Sequence, residues 1–85
     1  MKITIVADDK MIVKDGIGMG NLTLSGLAAD VWAVEWDSTT SKGHVEKRDK
    51  SVEEITSFAD YADHEAEYDT ALAAELKRIE DEKPT

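Results

Sequence analysis

The chain has no cysteine among its 85 residues. That excludes disulfide staples, thiol chemistry and thiolate ligands for a structural zinc site. Its one proline, Pro84, stands next to the end. No run approaches the ~20 apolar residues of a membrane span, and the apolar part of Met1–Asp9 is too short for a signal peptide. Positive charge is also scarce, with ten Lys and Arg against 19 Asp and Glu and a net charge of −9. The imbalance is local. Residues 1–50 carry seven basic and eight acidic side chains, a net of −1, whereas residues 51–85 carry three and eleven, a net of −8. Seven acids and no Lys or Arg lie from Glu53 to Asp69. Phosphate binding needs clustered cations, so nucleic acid and anionic membranes are excluded as partners, while a basic protein remains open.

What is present makes one small domain, 1–85, with a β-rich part (1–50) and an acidic helical part (51–85). A chain this short buries only about 60% of its unfolded surface, so its stability as a monomer is marginal.

The stretch Ser57–Lys83 has no Gly or Pro and consists mostly of good helix formers. Phe58, Tyr61, Glu65, Tyr68, Leu72, Leu76 and Ile79 recur at three or four residues and share one face, with Glu65 the polar exception. At 1.5 Å per residue such a helix is roughly 40 Å long, against a diameter of roughly 25 Å for a compact chain of this size. The stripe therefore overhangs the preceding domain and needs a partner there. Ser57 is the expected helix start, with Val52–Thr56 a short extended or single-turn lead-in. A continuous helix from Ser51 is the competing arrangement, since SVEE and SFAD both fit the Ser-x-x-acid cap. Lys77, Arg78 and Lys83 suit the negative helix C-terminus, and Pro84 ends it.

Before the helix, Lys2–Ala7 and Lys10–Lys14 read as a strand hairpin around Asp8-Asp9. Asp15-Gly16 is a turn, because Gly accepts positive φ. Ile17–Leu24 reads as a strand with a bulge or tight turn at Gly18 and Gly20. GIGMG lacks the Lys-Ser/Thr and the strand–loop–helix setting of a phosphate loop. Ser25–Asp30 is a connection. Val31–Asp37 is the strongest strand, and strict alternation puts Trp32, Val34 and Trp36 on one face, as core under the helix. Carbohydrate or base stacking by the two Trp is the lesser reading, for want of flanking cations. Ser38–Gly43 is a hairpin loop and His44–Arg48 the return strand. The fold expected is α+β: a small antiparallel sheet of four or five strands with one long C-terminal helix packed on it and partly overhanging.

Chemistry has little support. His44 and His64 form no His-x-x-x-His or Glu-x-x-His pattern, so no metal site is indicated and His64 reads as a solvated helix residue. No Gly-x-Ser-x-Gly surrounds any serine. The helix acids read as a solvated face, since acid–base catalysis needs a desolvated carboxylate in a cleft. No cofactor is expected, and the chain reads as a binding protein and not an enzyme. Tyr68, Leu72, Leu76 and Ile79 are the candidate protein-binding residues. Asp60, Asp63 and Glu67 are an alternative acidic face.

One segment resembles a family. Leu24, Ser25, Gly26 and Leu27 are followed by Val31, Ala33, Val34 and Trp36, then by Gly43, Val45 and Glu46, then by Glu54, Ile55 and Thr56. This order is similar to that of small proteins of tailed bacteriophages and prophages encoded beside tail-fibre genes, described as tail-fibre assembly or tail-associated proteins. The resemblance covers roughly residues 20–58. The chain departs from the group at Trp32, where His is common, and in its longer, more acidic helix. The resemblance implies a phage origin, a place in the host bacterial cytoplasm or the virion, and a non-enzymatic role in protein–protein binding. The partner would be another phage protein or a second copy joined through the helix. A basic host protein is the alternative, for an acidic nucleic-acid mimic that inhibits an anti-phage defence.

Overall fold

Short runs of β-branched residues separated by tight turns build one antiparallel sheet. In the computed structural model, which describes residues 1–82, the strands are β1 (Lys2–Val6), β2 (Met11–Lys14), β3 (Ile17–Met19), β4 (Val31–Asp37), β5 (Lys42–Lys47) and β6 (Val52–Ile55). Their order across the sheet is β3-β2-β1-β4-β5-β6, with every pair antiparallel. A single 3₁₀ turn (Ala59–Tyr61) leads into helix α1 (Ala62–Glu82). This is the expected α+β architecture, with six strands in place of four or five.

The extra strand is β6. Residues 52–55 pair along β5, Glu54 facing His44 and Glu53 facing Val45, which overturns a continuous helix from Ser51. The helix also begins later than Ser57. The Ser57 hydroxyl accepts the Ala59 N–H at 3.2 Å and so serves the 3₁₀ turn, while the α-helix proper starts at Ala62. Lys83 and the stop expected at Pro84 lie outside the described residues. The strand expected over Ile17–Leu24 ends at Met19. The chain from 20 to 30 is irregular, and it turns Leu22 and Leu24 into the core. Between β2 and β3, Asp15 and Gly16 both have positive φ (51° and 84°), the two-residue hairpin turn that follows the natural strand twist.

A bulge in β4 corrects the expected placement of Trp32. Val31 pairs with Lys47 and Ala33 with Glu46, leaving Trp32 as the extra residue. Alternation shifts by one there. Val31, Val34 and Trp36 enter the core, while Trp32 is 46% exposed.

The core lies between one sheet face and α1. Ile3, Ile5, Ile12, Val34 and Val45 line the sheet side, Leu22 and Leu24 close it from the irregular segment, and Tyr68 enters from the helix. Each such aliphatic side chain contributes about 1.5–3 kcal/mol by leaving water. Beyond Leu72 every described residue except Glu75 is exposed, and the molecule measures 51 × 27 × 18 Å. The end of α1 projects past the sheet.

Candidate protein-binding surface

Three sets of contacts fix the direction of the projecting helix. At its start, rings run in series. Trp36 stacks on Phe58 with centroids 5.7 Å apart, Phe58 meets Tyr61 at 5.6 Å, and Tyr61 meets His64 at 6.3 Å. His64 is buried at the end of this row and is not the solvated side chain its helical setting suggests. Midway, the Tyr68 hydroxyl donates to the Ile17 carbonyl at 2.8 Å. Beside it the Lys14 ammonium is held between Glu65 (2.7 Å) and Asp69 (3.0 Å), one helical turn apart, and lies 5.8 Å from the Tyr68 ring centroid. The two carboxylates raise the Lys14 pKa, the Glu65 hydrogen bond most, against a smaller opposing effect of burial.

The third contact pins the irregular segment. The Glu67 carboxylate accepts the N–H groups of Thr23 (2.6 Å) and Leu24 (2.9 Å). Leu24 has φ 51°, a left-handed conformation that costs a branched residue energy. Two successive N–H groups thus converge on one anion, in the manner of a backbone nest. The hydrogen bond from Thr23, then that from Leu24, holds the Glu67 carboxyl below its usual range despite partial desolvation.

These contacts divide the predicted binding residues. Tyr68 is fully buried and belongs to the core, so it is removed from the binding set. Leu72 packs at the core margin. Leu76 and Ile79, 58% and 50% exposed, remain on the free end. There Arg78 bridges Glu75 and Glu82 along the helix surface. In the alternative acidic set, Asp60 and Asp63 are exposed, but Glu67 is committed to the loop backbone. The three do not form one free face.

The bulge at Trp32 makes a second surface that alternation alone does not predict. Val45 faces the core, so Glu46 and its cross-strand partner Val52 face the other way, on the side of the sheet that α1 leaves open. Trp32, Glu46 and Val52, with Asp8, Lys47, Arg48 and Lys50, line a groove of about 490 Å³. Arg48 braces it. Its Nη2 donates to Asp8 at 2.7 Å and its Nε to the Ala29 carbonyl at 2.9 Å. The Arg48 hydrogen bond draws the Asp8 carboxyl below its usual range. A signal for the bulge is present in the sequence. Val31 and Val34 are apolar residues three apart, and both enter the core, which strict alternation would forbid.

His44 lies between Glu35 (2.9 Å) and Glu46 (3.6 Å), but among the described residues no group of three or more His, Cys, Asp or Glu is placed to hold a metal ion. No helix among those residues is long and apolar enough to cross a membrane. Comparison with protein-family models, curated proteins and solved structures found no match.

Proposed function

We propose that this chain is a non-enzymatic binding protein whose projecting helix end docks into another protein. The observation that carries the reading is the exposure of Leu76 and Ile79 on a helix that has already left its own sheet. A helix that offers apolar anchors about one turn apart uses the helix-in-groove mode of recognition. Around the anchors stand Glu75, Glu80, Asp81 and Glu82, with Lys77 and Arg78 the only described cations. The matching surface is an apolar groove edged by Lys or Arg.

The resemblance of residues 20–58 to small tailed-phage proteins supports a role in tail or tail-fibre assembly, in the host bacterial cytoplasm or the virion. In this reading the sheet serves to hold the helix at a fixed angle. The acidic-mimic reading is weaker, because Glu67 is spent within the fold.

The test is a photo-cross-linking residue placed at Ile79 in the intact protein, with Thr70, exposed on the same helix, as control. Cross-links from position 79 to a defined polypeptide, at an apolar site bordered by cations, are expected. Equal and scattered labelling from both positions would overturn the reading.

A further inference from the structure

We infer that the groove beside Trp32 is a binding site for a neutral pyranose sugar. The site lies on the open face of the sheet and is independent of the helix end. Trp32 is 46% exposed, and Val52 in the same groove is 60% exposed. The bulge places the indole there, since unbroken alternation from Trp36 would have turned it into the core. Around these two apolar side chains stand Asp8, Glu46, Arg48 and Lys50. Lys47 also borders the groove, but its ammonium lies on the helix face with Asp30 (3.3 Å) and Glu53 (3.9 Å). The rim therefore sets two cations, Arg48 and Lys50, against two anions, Asp8 and Glu46, and carries no net charge.

That balance selects the ligand. An anion or a cation meets a repelling group for each attracting one. A purely apolar molecule strips water from charged side chains and pairs none of them. A polyhydroxylated ring pairs them all, because each hydroxyl both donates and accepts. Its hydroxyls donate to Asp8 and Glu46 and accept from Arg48 and Lys50, as charge-assisted hydrogen bonds. Its ring C–H groups carry a small positive charge and settle on the indole face, which is negative. The guanidinium is already in position. Arg48 spends its Nη2 on Asp8 at 2.7 Å and its Nε on the Ala29 carbonyl at 2.9 Å, while its Nη1 makes no hydrogen bond among the described residues. A groove of about 490 Å³ also falls within the roughly 300–1,000 Å³ of small-molecule sites.

The experiment is an NMR titration of the full-length, isotope-labelled protein with the methyl glycosides of glucose, galactose, mannose and N-acetylglucosamine. The chain has two tryptophans, so two indole N–H signals are available. Trp36 is buried and serves as the internal reference. At least one glycoside should shift the Trp32 signal saturably and leave that of Trp36 in place. Sorbitol, which has the hydroxyls but no ring face, should shift neither, and the same holds for sodium sulfate and tetramethylammonium chloride. Read at the Glu46 and Val52 amides, Trp32→Ala should weaken binding by at least about tenfold. Trp32→Phe should weaken it less, and Glu46→Ala should weaken it with the indole still present. An unmoved Trp36 signal shows that each variant is folded. Leu76→Lys with Ile79→Lys should bind the sugar as wild type does.

The absence of a saturable shift with every glycoside overturns the inference. So does an equal response to sorbitol, because hydroxyls without a ring face would then suffice. A larger response to sulfate or to tetramethylammonium overturns it as well, by making the rim an ion site. Binding that survives Trp32→Ala unchanged removes the indole from the site and the inference with it. None of these results touches the helix end, whose docking is read separately from position 79.

Discussion

Gly43 faces Trp36 across the β4–β5 ladder, and the space its β-carbon would need is filled by the Glu35 carbonyl oxygen and the Trp36 ring. The clash with the carbonyl is with backbone, which cannot swing aside as a flexible side chain could. The missing side chain lets Trp36 lie against β5 and present its other surface to Phe58, the first ring of the row that seats the helix. Gly43→Ala should therefore destabilise the fold by about 1–3 kcal/mol, as overpacking does in a filled core. The check is urea unfolding followed by tryptophan fluorescence. An unchanged midpoint would mean that Trp36 does not depend on this contact.

Glu67 and Leu24 set the acid limit of the loop. The Glu67 pKa is depressed in the folded state by the Thr23 and Leu24 N–H groups. A depressed carboxyl adds stability that is fully present above its unfolded pKa, about 4.3, and is lost as pH falls through the folded value. Wild type should accordingly lose stability as the pH drops below about 4.3, and Glu67→Gln should show a flatter profile over the same range. At neutral pH the glutamine variant should be less stable, since one of the two N–H groups loses its anionic acceptor. Chemical denaturation at a series of pH values measures both effects, and parallel profiles for the two proteins would remove Glu67 from the account.

Tyr68 ties the helix to the β2–β3 hairpin through one hydroxyl. Tyr68→Phe keeps the ring in the core and deletes that bond, at a cost of about 1 kcal/mol. Tyr68→Ala adds a cavity and should cost about 3–5 kcal/mol in all, the range for large aromatic truncations. Amide hydrogen exchange adds a local readout, because the phenylalanine variant should exchange faster at Gly18 and Met19 than at the β1–β4 centre. Uniform acceleration would mean that the hydroxyl supports the whole fold and not the hairpin.

The class of the fold was legible because it rests on two strong periods. β-Branched runs between turn signals gave the strands, and the three-and-four spacing from Phe58 to Ile79 gave the helix. What escaped were features set by one residue or by distant partners. The bulge at Trp32 overrides alternation, bringing Val31 onto the core face with Val34 and turning the larger ring out. β6 was legible only as an extended or single-turn lead-in, because its pairing is with β5 and its own sequence, Val-Glu-Glu-Ile, is short and charged. Glu67 read as one solvated acid among eight in α1, since its partners are backbone N–H groups more than 40 residues earlier. Of the candidate site, Leu76 and Ile79 remained where the stripe placed them. Tyr68 and Leu72 were recognised as apolar, but spacing cannot tell where the sheet beneath a helix ends.

That boundary gives the last prediction. The stripe is continuous in sequence, yet its support stops between Leu72 and Leu76. Alanine substitutions along it should therefore fall into two classes. Leu72→Ala removes a side chain packed at the core margin and should cost about 1–2 kcal/mol, less than the 2–5 of a fully buried leucine. Leu76→Ala and Ile79→Ala remove side chains that touch mainly water, and each should change stability by no more than about 0.5 kcal/mol. The comparison belongs at low protein concentration, where association adds nothing to the folded state. Raising the concentration then separates two contributions. Wild type should gain stability if its helix end is docked on another copy, whereas Leu76→Ala and Ile79→Ala should gain less and Leu72→Ala should gain as wild type does. A graded loss from 72 to 79 at low concentration would mean that the helix end folds back on its own sheet in solution, and the helix would then lose its standing as the binding element.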